Sequence, residues 1–251
     1  SERETEPVYI LLSDVSRLQK DYDTALEYLA NIMNIDENAE ALTSKAACEE
    51  KLGHVEDARM AYQRALIIGG EHAPLFRRYG WFLIKVGDIQ HGTDNLLKAY
   101  QLDPKNLKTH KKLGRAYLLS EDNKIEEAFK HFNFVYDRSP EDYIGLLGLG
   151  QAYERKGDYE KALEYLKKAG DHPKSDLNCQ FFLGTVYSKL RDFKKAQEIF
   201  RHVLSKKSGL IFIIYFLKEN DPNHVEASVE IATIFTLLKE YEKAKKYFKH
   251  A

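Results

Sequence analysis

The sequence predicts an all-α protein assembled from repeated antiparallel helix pairs, and three observations carry that expectation. Apolar residues recur at three- and four-residue steps, as in Leu149, Tyr153, Ala162, Leu166 and Ala169, the spacing that marks the buried face of an amphipathic helix. The pattern then returns. Small residues at Ala25, Ala58, Gly92, Ala128, Ala162, Ala196 and Ala244 give successive intervals of 33, 34, 36, 34, 34 and 48 residues. Finally, Pro74, Pro104, Pro140, Pro173 and Pro222 all fall between units, where proline stops one helix and opens another. One helix pair cannot bury its own apolar face, so the pairs are expected to stack.

Taken in chain order, the units span about 6–38, 39–72, 73–106, 107–142, 143–176, 177–210 and 225–251. The first two are the most irregular. Lys45 and Glu49 stand where large apolar residues belong, which makes these two first helices the least secure. The third unit reads Tyr79-Gly80, Gly87-Asp88, Gly92, Leu96, Ala99, and the fourth Leu113-Gly114, Tyr117, Ala128, Phe132, Val135. Ser120, Glu121, Asp122 and Asn123 lengthen the turn inside the fourth unit, a structurally cheap surface loop. In the fifth, Gly157 is expected to end one helix in the left-handed conformation and Asp158 to cap the next. Gly150 and Ala162 are small enough to let the two helices cross closely. The sixth repeats the word as Leu183-Gly184, Tyr187, Asp192-Phe193, Ala196, Phe200. The 48-residue interval inserts the apolar run 210–217, within a segment at 209–220 that resembles a second helix lacking its first. The segment 205–224 is read either as the remnant of an incomplete repeat or as one long helix. The run itself is either core or a partner-binding insert. The seventh unit stops inside its second helix at Phe248 and Ala251. Solenoids end in a polar capping helix, so the chain is expected to be part of a longer one.

The pattern resembles the tetratricopeptide repeat family over nearly its whole length. Gly80/Gly92/Ala99, Gly150/Ala162/Ala169 and Gly184/Ala196/Val203 occupy the family's small positions. The resemblance implies a right-handed superhelical solenoid of about seven units. Within it, Tyr79-Gly80-Trp81, Asn95 to Ala99, Asp103-Pro104 and Leu113-Gly114-Arg115 look like the array of the general transcriptional corepressor and related histone demethylases. Leu113 to Ala116, His131 to Val135, Ser139-Pro140 and Leu146 to Gly148 are similar to the repeat subunit of the polymerase-associated elongation complex. These likenesses imply a transcription-linked scaffold inside the cell, with the nucleus favoured over the cytoplasm.

Composition narrows the chemistry. The 38 basic and 39 acidic residues leave a net charge of −1, which disfavours direct binding to nucleic acid or to a membrane surface. The eight-residue run at 210–217 is far short of the roughly 20 needed for a membrane span. Cys48 and Cys179 form no disulfide framework and fit a reducing compartment. The nine histidines are scattered, with no HExxH and no CxxC, so no metal or cofactor is expected. Gly145, Gly148 and Gly150 only loosely imitate a phosphate loop, and close packing inside a helix explains them. No nucleophile–base–acid set can be assembled. An enzyme and a small-molecule substrate are therefore not expected.

What remains is surface. In the resembled family the first helix of each pair lines a concave groove, and unit positions 2, 5, 9 and 12 face it. Among them here are Arg77 and Trp81, then Lys108, Lys111 and Arg115, then Leu147 and Gln151, then Phe181. A groove of four cations with aromatic and aliphatic anchors suits an acidic peptide segment or partner subunit. The same cations also read as a solvated helix face, and Trp81 as inter-repeat packing. The lysine and asparagine set by which chaperone-binding relatives hold a terminal carboxylate is absent from these positions. The expectation is a non-catalytic scaffold that assembles a multiprotein complex. The alternatives are an adaptor of a trafficking, ciliary or cell-cycle complex, or the regulatory repeats of a larger enzyme.

Overall fold

The structure, a computed structural model, describes residues 2–120, 124–206, 233–236, 240 and 243. Residues 121–123, the segment at 209–220 and most of 225–251 lie outside the described residues. The described part is helical without strands. Its α-helices are α1 (Glu2–Leu18), α2 (Tyr22–Ala30), α3 (Ala39–Leu52), α4 (Val55–Gly69), α5 (Ala73–Lys85) and α6 (Ile89–Leu102). There follow α7 (Leu107–Leu119), α8 (Ile125–Arg138), α9 (Tyr143–Lys156), α10 (Tyr159–Gly170), α11 (Leu177–Lys189) and α12 (Phe193–Ser205). A 3-10 turn, Ile35–Glu37, precedes α3. The chain divides into two compact units, Ser1–Lys112 and Leu113–Ala251, each described below by itself.

The turn inside each pair follows one rule. Asp21, Asp88, Asp158 and Asp192 cap α2, α6, α10 and α12, each accepting a hydrogen bond from the backbone N–H three residues on. The residue before the cap position is left-handed in five pairs: Lys20, Gly53, Gly87, Gly157 and Arg191, with φ of 65°, 85°, 92°, 82° and 61°. Lys20 and Arg191 take a conformation that costs an L-residue roughly 1–2 kcal/mol. Arg191→Gly is accordingly expected to stabilise the protein, by about 0.5–1 kcal/mol once glycine's larger unfolded-state entropy is deducted. Urea unfolding of the two chains checks this.

In the first unit, Leu42, Ala46, Ala58, Tyr62, Leu75, Tyr79 and Phe82 form one core cluster across α3, α4 and α5. At the α5–α6 crossing the backbones nearly touch, because a Cβ on Gly80 would lie 2.7 Å from the Gly92 carbonyl oxygen and the converse holds for Gly92. The expectation that α3 is insecure is corrected. Its Glu49 is buried, and the carboxylate is met at 2.7 Å by His54 Nδ1, so the polar residue is paired in place.

In the second unit, Phe132 of α8 wedges between neighbouring helices. A Cβ on Gly114 would come within 2.7 Å of its ring, and one on Gly148 within 2.2 Å. On the other side of α9, Gly150 admits Leu166 of α10, which a Cβ would meet at 2.5 Å. The three glycines of α9 are thus packing surfaces. A further cluster joins Phe181, Ala196, Phe200 and Val203 with Ile234 and Phe235.

Burial also fixes protons. It pushes the thiols of Cys48 and Cys179 up to about 11 and the Tyr62 hydroxyl up to about 12. Burial, aided by donation to Asp176 Oδ1 at 2.6 Å, raises Tyr143 as well. In each case the folded protein holds a proton that the unfolded chain releases first. The stability these groups provide is complete below about pH 9 and declines as pH rises through the folded values. Melting temperatures are expected to fall above about pH 9, and native thiols to resist a disulfide reagent at neutral pH until urea exposes them.

Candidate functional site

Helix stacking places the first helices of successive pairs side by side. In the first unit α1 packs on α3, and in the second α9 packs on α11. Between α1, α3 and the start of α5 lies a cavity of about 520 Å³. Asp14 and Arg17 of α1, Glu40, Thr43 and Ser44 of α3, and His72, Pro74 and Arg78 at α5 line it. Arg17 donates to Asp14 Oδ1 at 2.8 Å, and the Ser44 hydroxyl donates to the same oxygen at 3.3 Å. The Arg17 Nε is buried without a hydrogen-bond partner, and such an unmet donor costs about 1–3 kcal/mol. The cavity therefore combines two guanidinium groups, two hydroxyls and two carboxylates, one of the carboxylates already engaged. It can hold a polar extended segment that accepts hydrogen bonds from arginine.

The residues singled out in the sequence fall differently. In the first unit Arg77 is half-buried, and its Nη1 is buried and has no partner. Burial lowers its pKa, with nearby Asp103 opposing. Trp81 is half-buried under the Lys112 ammonium, 4.3 Å from the ring centroid. Lys108 is exposed and Lys111 half-buried on α7. In the second unit Arg115 is exposed and Gln151 half-buried. Leu147 and Phe181 are buried instead. Leu147 packs in a cluster with Leu146, Ala162 and Leu166, and Phe181 packs against Phe200, ring centroids 6.1 Å apart. The open apolar anchors expected at these two positions are core side chains, Leu147 in a cluster shared by α9, α10 and α11 and Phe181 in one that takes in α12, Ile234 and Phe235. Close by, burial pushes Glu154 up against the opposing charges of Arg155 and Lys189.

Sequence reasoning missed the cavity. Its small polar residues, Thr43 and Ser44, belong to one of the two least regular units. Likewise, Glu49, His54 and Asp57 bring three ligand-type atoms within 4.8 Å of one another, a convergence that no spaced motif announces. Among the described residues no helix is long and apolar enough to cross a membrane.

Paired helices joined by capped turns, stacked first helix on first helix, define a helical-repeat protein. Tetratricopeptide repeat models match residues 113–176, and again 177–205 and 225–251. The chain carries tetratricopeptide repeats over those residues, and such repeats imply a protein–protein interaction scaffold. It is similar to Protein CTR9 homolog of Arabidopsis thaliana, 24% identical over 212 residues that cover 81% of this chain and 18% of that protein. Superkiller protein 3 of Schizosaccharomyces pombe is 20% identical over 205 residues, covering 66% of this chain and 15% of that one. The chain thus spans less than a fifth of either relative. A tetratricopeptide repeat protein of Parabacteroides merdae shares the fold at a TM-score of 0.71 and 14% identity, with 98% of each chain covered.

Proposed function

We propose that the chain is a non-catalytic scaffold whose first helices hold segments of partner proteins, and that it serves a nuclear, transcription-linked assembly. The observation that carries the first part is the pair of arginine donors in the Ser1–Lys112 unit, Arg17 Nε and Arg77 Nη1, both buried and unmet. Arg17 lines the cavity between first helices. Donors of that kind take carboxylate or carbonyl acceptors, and a carboxylate gives the stronger, charge-assisted bond, which supports an acidic segment. Arg77, Trp81, Lys108 and Lys111 serve the first unit, and Arg115 and Gln151 the second, with Leu147 and Phe181 supporting the helices from beneath. Similarity to Protein CTR9 homolog over 81% of the chain, with the resemblance to transcription-linked arrays, supports the nuclear setting.

The experiment is a quantitative pull-down from nuclear and cytoplasmic extracts with the parent chain, Arg78→Glu, and Lys111→Glu/Arg115→Glu, helicity checked by circular dichroism. A discrete nuclear set is expected to bind the parent and to weaken about ten-fold, or 1.4 kcal/mol, in the variants. Equal binding to all three chains contradicts the acidic-segment reading. Partners confined to the cytoplasmic extract contradict the nuclear one.

A further inference from the structure

We propose that Glu49, His54 and Asp57, at the turn joining α3 to α4, hold a divalent transition-metal ion of the zinc class. Each offers one ligand atom, and the three atoms lie within 4.8 Å of one another. The closest two are His54 Nδ1 and Glu49 Oε2, 2.7 Å apart. Donors in a four-coordinate zinc shell, each roughly 2.0–2.2 Å from the ion, stand about 3.3 Å from one another, so this pair has to open slightly. The His54 side chain is 56% exposed and Asp57 is exposed as well, so both can swing. The Glu49 side chain, 11% exposed, is the fixed ligand. Exposure of the other two leaves the outer side of the ion to water, the fourth ligand where the protein supplies three.

The repeat register makes these three residues a joint departure. His54 stands four places before Ala58, where Asp21, Asp88, Asp158 and Asp192 stand before Ala25, Gly92, Ala162 and Ala196. Those aspartates cap their helices. His54 makes no cap hydrogen bond and turns to Glu49 instead. Glu49 occupies the place of Leu83, Tyr153 and Tyr187, and Asp57 that of Lys161 and Lys195. In those later pairs the lysine meets the capping aspartate, at 3.1 Å and 2.7 Å. The α3–α4 turn thus exchanges a cap, an apolar side chain and a cation for one nitrogen ligand and two carboxylates. α8 also starts uncapped, behind Lys124, but lysine brings no such ligand.

Charge selects the ion. Asp57 adds a second negative charge beside the buried Glu49, and a shared cation stabilises two carboxylates held close together. Two carboxylates balance a divalent charge. The imidazole nitrogen favours zinc and its neighbours over magnesium and calcium, which take oxygen ligands. Residues 49–57 contain all three ligands, so little chain entropy opposes closing the ring. In this turn the ion supplies the fastening that an aspartate cap supplies elsewhere.

The full chain, stripped of metal with a chelator, is titrated with zinc by calorimetry beside His54→Ala, Asp57→Asn and His91→Ala. His91 is the comparison, a histidine of the next pair whose Nδ1 lies 2.9 Å from Asp88 Oδ1. All three variants alter exposed side chains, and circular dichroism checks the fold. The expected result is saturable one-to-one binding to the parent, weakened about ten-fold or more in His54→Ala and Asp57→Asn and unchanged in His91→Ala. Zinc is also expected to raise the melting temperature of the parent and not that of His54→Ala, because the ion holds the folded turn. Absence of saturable binding overturns the proposal. So does equal affinity for the parent and His54→Ala, which would assign the zinc to other surface histidines.

Discussion

Gly148→Ala is expected to destabilise the Leu113–Ala251 unit by about 2–3 kcal/mol, although alanine is the better helix former. In an open helix the exchange would gain about 1 kcal/mol. Here the added methyl would stand 2.2 Å, 2.3 Å and 2.5 Å from three ring atoms of Phe132, well inside van der Waals contact. The ring is fully buried, and Gly114 presses on it as well, at 2.7 Å for its own Cβ. It cannot swing away without moving a helix, and overpacking of this kind costs about 1–3 kcal/mol, occasionally more. Protection of α8 and α9 amides in hydrogen exchange should drop accordingly. If the ring is the obstacle, Phe132→Leu must relieve it, so the double variant is expected to cost at least about 1 kcal/mol less than the two single changes summed. Additive costs would place the damage elsewhere.

Gly80→Ala carries the second large effect, for a different reason. Its Cβ would meet the Gly92 carbonyl oxygen at 2.7 Å and the Leu96 nitrogen at 3.0 Å. Backbone atoms have no rotamer to change, so α5 and α6 must separate along a crossing where Leu83, Leu96 and Ala99 are all buried. A loss of about 2–3 kcal/mol is expected. Trp81 is the sole tryptophan and the neighbour in sequence, so its fluorescence follows this transition directly. Gly87→Ala serves as a comparison, since nothing lies within 4 Å of that Cβ and only the left-handed φ of 92° resists it. Its cost should stay near 1–2 kcal/mol.

Much of the helix-pair fold was legible because its determinants are local. A small residue at a crossing and an aspartate after a turn each act within one pair, so their spacing survives in the sequence. Gly157 and Asp158 do what their types require, the glycine left-handed and the aspartate capping Lys161 N at 3.2 Å. Lys20 and Arg191 obscured the same turn by filling a glycine position, although Asp21 and Asp192 after them kept the signal. Burial across neighbouring pairs was harder to read. Glu49 looked like a defect because its partner His54 lies beyond the helix end, and a pattern of single positions does not register pairs. Leu147 and Phe181 sit where a face count turns them outward, yet which neighbour covers a face depends on the next pair. The cavity escaped for a related reason: Arg17, Ser44 and Arg78 come from three different pairs, and each alone resembles ordinary surface.

If the proposed function holds, partner segments lie against first helices and not on the outer face of second helices. A photo-crosslinking amino acid placed at Glu40, on the cavity wall of α3, and separately at Gln63, exposed on α4, tests that division in nuclear extract. The expected result is a discrete polypeptide adduct from position 40 and none from position 63. Adducts only from position 63, or in equal yield from both, would contradict it.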